Sequence, residues 1–203
     1  MSKDLTFAKS KFCDPAEEIC IAAIQMRVGT KVSVNLKEAA RLIDIAVMKG
    51  AKLVVLPEYF CFMGMKDTDK MVLREEEGSG PIQDFLSKTA RSYGIWLVGG
   101  SVPLVSSRPD KVRNSCLVYD DSGKQVARYD KIHLFNLRSG KENYVEEETI
   151  EAGTKVVTLE SPFGRIGLSI CYDLRFPELY RSMEKVDIIL APSAFTSFTG
   201  KAH

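Results

Sequence analysis

Cys171 stands where an apolar run, Arg165-Ile166-Gly167-Leu168-Ser169-Ile170, gives way to Tyr172-Asp173-Leu174-Arg175-Phe176-Pro177. The run has the composition of a buried strand, and Pro177 marks a helix start. A sulfur at such a junction lies near helix N-terminal N–H groups, which favour a thiolate, so the expected chemistry is nucleophilic attack. The competing reading is a buried free cysteine, which Cys20 and Cys116 fit well inside their strands. Glu58 follows Leu53-Val54-Val55-Leu56-Pro57. It lies just past the end of another buried strand, where α/β sheets place their sites. Desolvation there raises a carboxyl's pKa and suits a general base, although a carboxylate satisfying loop N–H groups fits that segment equally well. Lys131, in Tyr129-Asp130-Lys131-Ile132-His133-Leu134-Phe135, could hold an oxyanion or lower the pKa of a nearby thiol. Taken alone, a solvated loop lysine or a partner of Asp130 is the commoner case.

Five cysteines and two histidines bound the alternatives. The cysteine count is odd and no pair has C-x-x-C spacing, which argues against a disulfide framework or a zinc site. With only His133 and His203, a multi-histidine metal centre is not expected. His133 is the partner a papain-like Cys–His pair would need, but a hydrogen-bonded structural role fits it better.

The elements that would position these residues follow from periodicity. Apolar runs over residues 18–26, 53–56, 95–99 and 188–191 predict buried strands. Leu36, Ala40, Ile43 and Val47 predict a helix over 35–49, with Asn35 as its cap and Gly50 at its end. A second helix is predicted over 81–92, with Pro81 in its first turn. Residues 114–119 and 124–129 flank Asp120-Asp121-Ser122-Gly123, a hairpin signal; residues 156–159 and 165–170 flank Ser161-Pro162-Phe163-Gly164, another. Residues 136–153 are polar and acidic and predict a long irregular loop, of a length that is often functional. Strand–helix alternation followed by hairpins predicts an α/β layered domain with a mixed sheet.

Composition sets the outer limits. The 203 residues are 45% hydrophobic and 27% charged, which suits one domain, with a polar extension over 1–17 and the domain over 18–203. A net charge of +1 points to neither nucleic acid nor an anionic membrane. The apolar runs are far shorter than the ~18–20 residues of a membrane span, and the first residues lack an apolar signal core, so a cytoplasmic location is expected. The sequence ends soon after a buried strand, so C-terminal elements are expected to be missing.

Taken together, L-P-E-Y-F with Glu58, Y-D-K-I-H-L-F with Lys131 and S-I-C-Y-D-L-R-F-P-E-L-Y-R with Cys171 resemble the nitrilase superfamily of carbon–nitrogen hydrolases. That family carries a Glu–Lys–Cys triad in this order. The stretches C-Y-D-L-R-F-P-E-L, Y-V-E-E-E-T-I-E-A-G and A-P-S-A-F-T-S-F-T-G-K-A-H are most similar to the Nit branch, especially the deaminated-glutathione amidases, and the related omega-amidases share most of them. The resemblance implies a four-layer α-β-β-α sandwich lacking its C-terminal elements. It implies a homodimer and a second glutamate, aligned at Glu146, between the lysine and the cysteine.

It further implies hydrolysis of a small ω-amide carboxylate through a thioester on Cys171, without metal or organic cofactor. Glu58 would be the base, Lys131 and the Tyr172 N–H would hold the oxyanion, and Glu146 would orient Lys131 or the substrate. Arg175 could bind a substrate carboxylate, or pair with Glu178 instead. A nitrilase, or an inactive fragment that folds only with a partner, is the alternative.

Overall fold

The computed structural model describes residues 19–139, 142–195 and 199–202. The polar extension expected over 1–17, and His203, lie outside the described residues.

In chain order, β1 (Ile21–Ala23), α1 (Val32–Met48), β2 (Leu53–Val55), α2 (Pro81–Tyr93) and β3 (Trp96–Val98) form two strand–helix–strand crossovers. These three strands pair in parallel. The chain then turns antiparallel through β4 (Val102–Val105), β5 (Val112–Tyr119) and β6 (Gln125–Asp130). One edge of β5 is shared by β3 and β4, and the other pairs with β6, which completes a six-stranded mixed sheet. After the hairpin β7 (Asn136–Ser139) and β8 (Glu142–Val145) come β9 (Thr158–Ser161) and β10 (Gly164–Leu168). The short α3 (Pro177–Arg181) leads into β11 (Ile188–Leu190). A second sheet has β10 between antiparallel β9 and parallel β11.

Side-chain alternation makes the layers. Val54, Leu56 and Leu97 face one way, onto Ala39 and Ile43 of α1 and Ile82, Leu86 and Ala90 of α2. Leu53, Val98, Cys116, Val118 and Tyr129 face the other way, against Ile166, Leu168, Ile170 and Leu190 of the second sheet. On the far face of that sheet, a Cβ on Gly167 would meet Met183 Sδ at 2.6 Å, so the segment just after α3 begins the outer layer. The order is helix, sheet, sheet, helix, the four-layer arrangement that the resemblance implies.

Several local expectations need correction. The first helix begins at Val32, three residues before Asn35. Asn35 is buried inside it and serves two loops instead of its own helix: Nδ2 donates to Gly29 O at 2.7 Å and to Cys61 O at 2.9 Å. Residues 136–153 are not an irregular loop, since β7, β8 and a 3-10 turn at Glu146–Glu148 occupy much of them. The second hairpin lies slightly off the expected spans, pairing Thr158–Ser161 with Gly164–Leu168. β4 and a 3-10 helix at Asp67–Leu73 were not expected: Pro103 sits inside the short apolar run of β4, and the 3-10 segment has no apolar period.

Candidate active site

The ends of β2, β6 and β10 converge, and each carries one of the expected groups past its last residue. Glu58 follows β2 through Pro57. A Cβ on Gly100, at φ +45°, would overlap the Pro57 carbonyl oxygen, so the chain passes there only because position 100 is glycine. Lys131 follows β6 directly. Its N–H donates to Asn114 O of β5 at 2.9 Å, and its C=O accepts from Gly153 N at 2.8 Å. Cys171 opens a 3-10 helix at Cys171–Arg175, with φ +48°. Its N–H donates to Pro192 O at 2.9 Å, which ties the turn to the segment just after β11. A left-handed cysteine stores roughly 1–3 kcal/mol of strain, of the kind found where a side chain must be aimed.

The side chains meet in the interior. Lys131 Nζ lies 2.9 Å from Glu58 Oε1 and 3.0 and 2.9 Å from Glu146 Oε1 and Oε2. The Lys131 and Glu58 side chains are each 1% exposed. Glu58 Oε1 also accepts from Asn114 Nδ2 at 2.9 Å, and Oε2 accepts from Ala194 N at 3.0 Å. Glu146 accepts from Tyr59 Oη at 2.8 Å and from Phe135 N at 2.8 Å. Tyr59 itself sits at φ +56°, with its N–H donating to Ser101 Oγ. Cys171 Sγ points to Ala194 O at 3.9 Å, the residue whose N–H holds Glu58.

Electrostatics follow from this burial. Burial pushes the Glu58 carboxyl above its ordinary value; Lys131 opposes that and Glu146 reinforces it. Burial alone would lower the Lys131 ammonium, but the Glu58 and Glu146 carboxylates outweigh it and hold it above its usual range. Burial pushes the Cys171 thiol up to about 12, with Glu58 adding to the rise and Lys131 opposing it. The resting sulfur is therefore a thiol, against the thiolate expected from a helix N-terminus. A five-residue 3-10 turn supplies too little dipole to offset desolvation and an adjacent carboxylate. Such a thiol needs a base at the moment of attack, and Glu58 is the carboxylate beside it.

The remaining expected residues separate clearly. Tyr172 is second in the 3-10 helix, where the first-turn N–H groups have no intrahelical acceptor, and its ring packs edge-on against Phe135 and Phe176. Arg175 is exposed at the far end of the same turn. Glu178 lies 3.6 Å from Arg181. His133 Nδ1 lies 2.7 Å from Asp173 Oδ1, and its ring stacks on Phe176 at 3.6 Å. Asp173 also accepts from Tyr129 Oη and Ile170 N, so His133 is fixed to a buried structural carboxylate. Among the described residues, no group of three or more His, Cys, Asp or Glu side chains could hold a metal ion. No described helix is long and apolar enough to cross a membrane.

Sequence reasoning missed Asn114, Tyr59 and Lys70. Arg113-Asn114-Ser115, a polar run that interrupts the apolar residues of β5, was the signal for the first. Lys70 Nζ reaches Thr149 Oγ1 at 3.1 Å and lies 5.9 Å from the centre of the Tyr59 ring; burial holds it below its ordinary value. Nothing in the residues around Lys70 marked it.

The arrangement has close relatives. Residues 20–203 match the family model described as carbon-nitrogen hydrolase. The chain is 40% identical over 188 residues to the deaminated glutathione amidase of Synechocystis sp., covering 90% of this chain and 68% of that one. It is 36% identical over 186 residues to omega-amidase NIT2 of Xenopus tropicalis, covering 90% and 66%. The chain thus spans about two-thirds of the length of these curated relatives. Among solved structures, the C. elegans NitFhit protein superposes with a TM-score of 0.80 at 35% identity, over 90% of this chain and 45% of that one. Saccharomyces cerevisiae Nit3, of the nitrilase superfamily, does so with a TM-score of 0.78 at 32% identity, over 91% and 68%. The chain belongs to the carbon–nitrogen hydrolase family, in the Nit branch of the nitrilase superfamily.

Proposed function

We propose that the protein hydrolyses the terminal amide of a small ω-amide carboxylate, as a deaminated-glutathione amidase or a related omega-amidase. The carrying observation is the buried chain Glu146–Lys131–Glu58, with Glu58 beside a protonated Cys171. It supplies a base, a fixed cation and a nucleophile within one desolvated site.

In this reading Glu58 takes the Cys171 proton as sulfur bonds to the amide carbon. The carbonyl electron pair moves onto oxygen, which Lys131 and the Tyr172 N–H hold. Collapse breaks the C–N bond. Glu58 returns the proton to nitrogen, and ammonia leaves a thioester. Water, deprotonated by Glu58, then attacks the thioester; the C–S bond breaks and the thiol is regenerated. Glu146 keeps Lys131 aimed, and exposed Arg175 offers a cation for the substrate carboxylate. The working protein is proposed as a cytoplasmic homodimer, with one catalytic domain over residues 18–203.

Ammonia release from deaminated glutathione and from α-ketoglutaramate, with Cys171→Ala as control, tests the proposal. Cys171-dependent release from either supports it and ranks the two substrates. Release from a matching nitrile but from neither amide would overturn it in favour of a nitrilase.

A further inference from the structure

Glu58 has two carboxylate oxygens, and the hydrogen-bond pattern distinguishes them. An ionised carboxylate has about four lone-pair sites. Oε1 accepts from Lys131 Nζ and from Asn114 Nδ2, both at 2.9 Å, which fills it. Oε2 accepts from Ala194 N at 3.0 Å, which leaves it one site.

We propose that Asn114 is a positioning residue that, with Lys131, saturates Glu58 Oε1 and so makes Oε2 the atom that receives the Cys171 proton. This rests on Glu58 being the base. In that step the S–H bond breaks, an O–H bond forms at Oε2, and the sulfur keeps the electron pair that attacks carbon.

Asn114 is built for that task. Its backbone is fixed on both sides, paired with Pro103 of β4 on one edge and accepting from Lys131 N on the other. One residue thus anchors the main chain of the lysine and the side chain of the glutamate. Its Oδ1 is buried and has no hydrogen-bond partner among the described residues. An orphaned acceptor of that kind opposes folding, and a leucine of similar size would avoid it. Rotating the amide would set Oδ1 against Glu58 Oε1, oxygen facing oxygen. The donor orientation is therefore dictated by Glu58, and the retained amide has no evident use apart from that single bond.

The test is the pH profile of iodoacetamide alkylation at Cys171, which needs no turnover. It is read by mass spectrometry of the Cys171 peptide, because Cys20, exposed rather than buried in a strand, would react as well. Wild type, Asn114→Leu, Asn114→Asp and Glu58→Gln are compared. Asn114→Leu is expected to react about 10- to 100-fold more slowly at neutral pH, with its profile moved to higher pH. Asn114→Asp, which keeps the size but turns a carboxylate on Glu58, is expected to move further in the same direction. Should Asn114→Leu fail to fold, Asn114→Asp still decides. Wild-type profiles in the folded Asn114 variants, with Glu58→Gln slow, overturn the positioning role and leave the base intact. A wild-type profile in Glu58→Gln overturns both.

Discussion

Lys131 and Glu58 are 73 residues apart in sequence and 2.9 Å apart in space, and both side chains are almost wholly buried. A buried pair of this kind is weak evidence for stability, because desolvation offsets much of the attraction. Its consequence lies in what happens when one partner goes.

Replacing Lys131 with methionine keeps the length and removes the charge. Glu58 and Glu146 then face each other without their shared cation. The expected loss of stability is about 3–5 kcal/mol, visible as a lower melting temperature. Ammonia release should fall by at least about 10²–10³, the cost of an oxyanion donor. A rate within a few-fold of wild type would remove Lys131 from the mechanism.

The raised Glu58 carboxyl sets the direction of the pH dependence. A general base works when ionised, so activity is present above its folded pKa and lost as pH falls through it. Because that value lies above the ordinary 4.5, kcat/KM should fall off at a higher pH than an unperturbed carboxylate would give. The Cys171 thiol near 12 predicts no thiolate absorbance at neutral pH in the free enzyme. An acid limb at or below 4.5, or a strong thiolate signal at pH 7, would contradict this pairing.

Gly100 and Gly50 separate strain from collision. Both have positive φ, but a Cβ on Gly50 meets nothing within 4 Å, whereas one on Gly100 overlaps Pro57 O. Gly50→Ala should lower stability by about 1–2 kcal/mol, the left-handed penalty alone. Gly100→Ala should exceed that clearly and also displace Glu58, so activity falls as well. Urea titration of both variants, with amidase assays, checks the contrast; equal losses would refute it.

The parts of this site visible in the sequence were those whose local pattern changes sharply. Glu58 and Cys171 each end an apolar run, and Lys131 follows a hairpin strand with a clear turn signal. Pro81 opens α2 where the pattern places it. The parts that stayed hidden depend on contacts across long sequence separations. Asn35 has the chemistry of a cap, but Gly29 and Cys61 claim its amide. Tyr59 looks like a core aromatic until its hydroxyl meets Glu146, 87 residues away. The thiol state of Cys171 could not be read locally, because burial and Glu58 outweigh the helix terminus that the sequence advertises.

His133 gives the sharpest separation between two cysteine chemistries. In a Cys–His hydrolase its loss would abolish turnover, since the imidazole would carry the proton. Here its Nδ1 faces Asp173 and its ring stacks on Phe176, so it braces the turn that presents Cys171. His133→Ala should therefore lower stability by about 1–3 kcal/mol, through the lost hydrogen bond and stacking, while kcat stays within roughly a few-fold of wild type. Glu58→Gln, nearly isosteric, should do the reverse: a modest change in melting and an almost complete loss of ammonia release. Measuring both variants side by side decides the matter. Loss of activity in His133→Ala with normal melting, beside an active Glu58→Gln, would transfer the base role from the glutamate to the histidine.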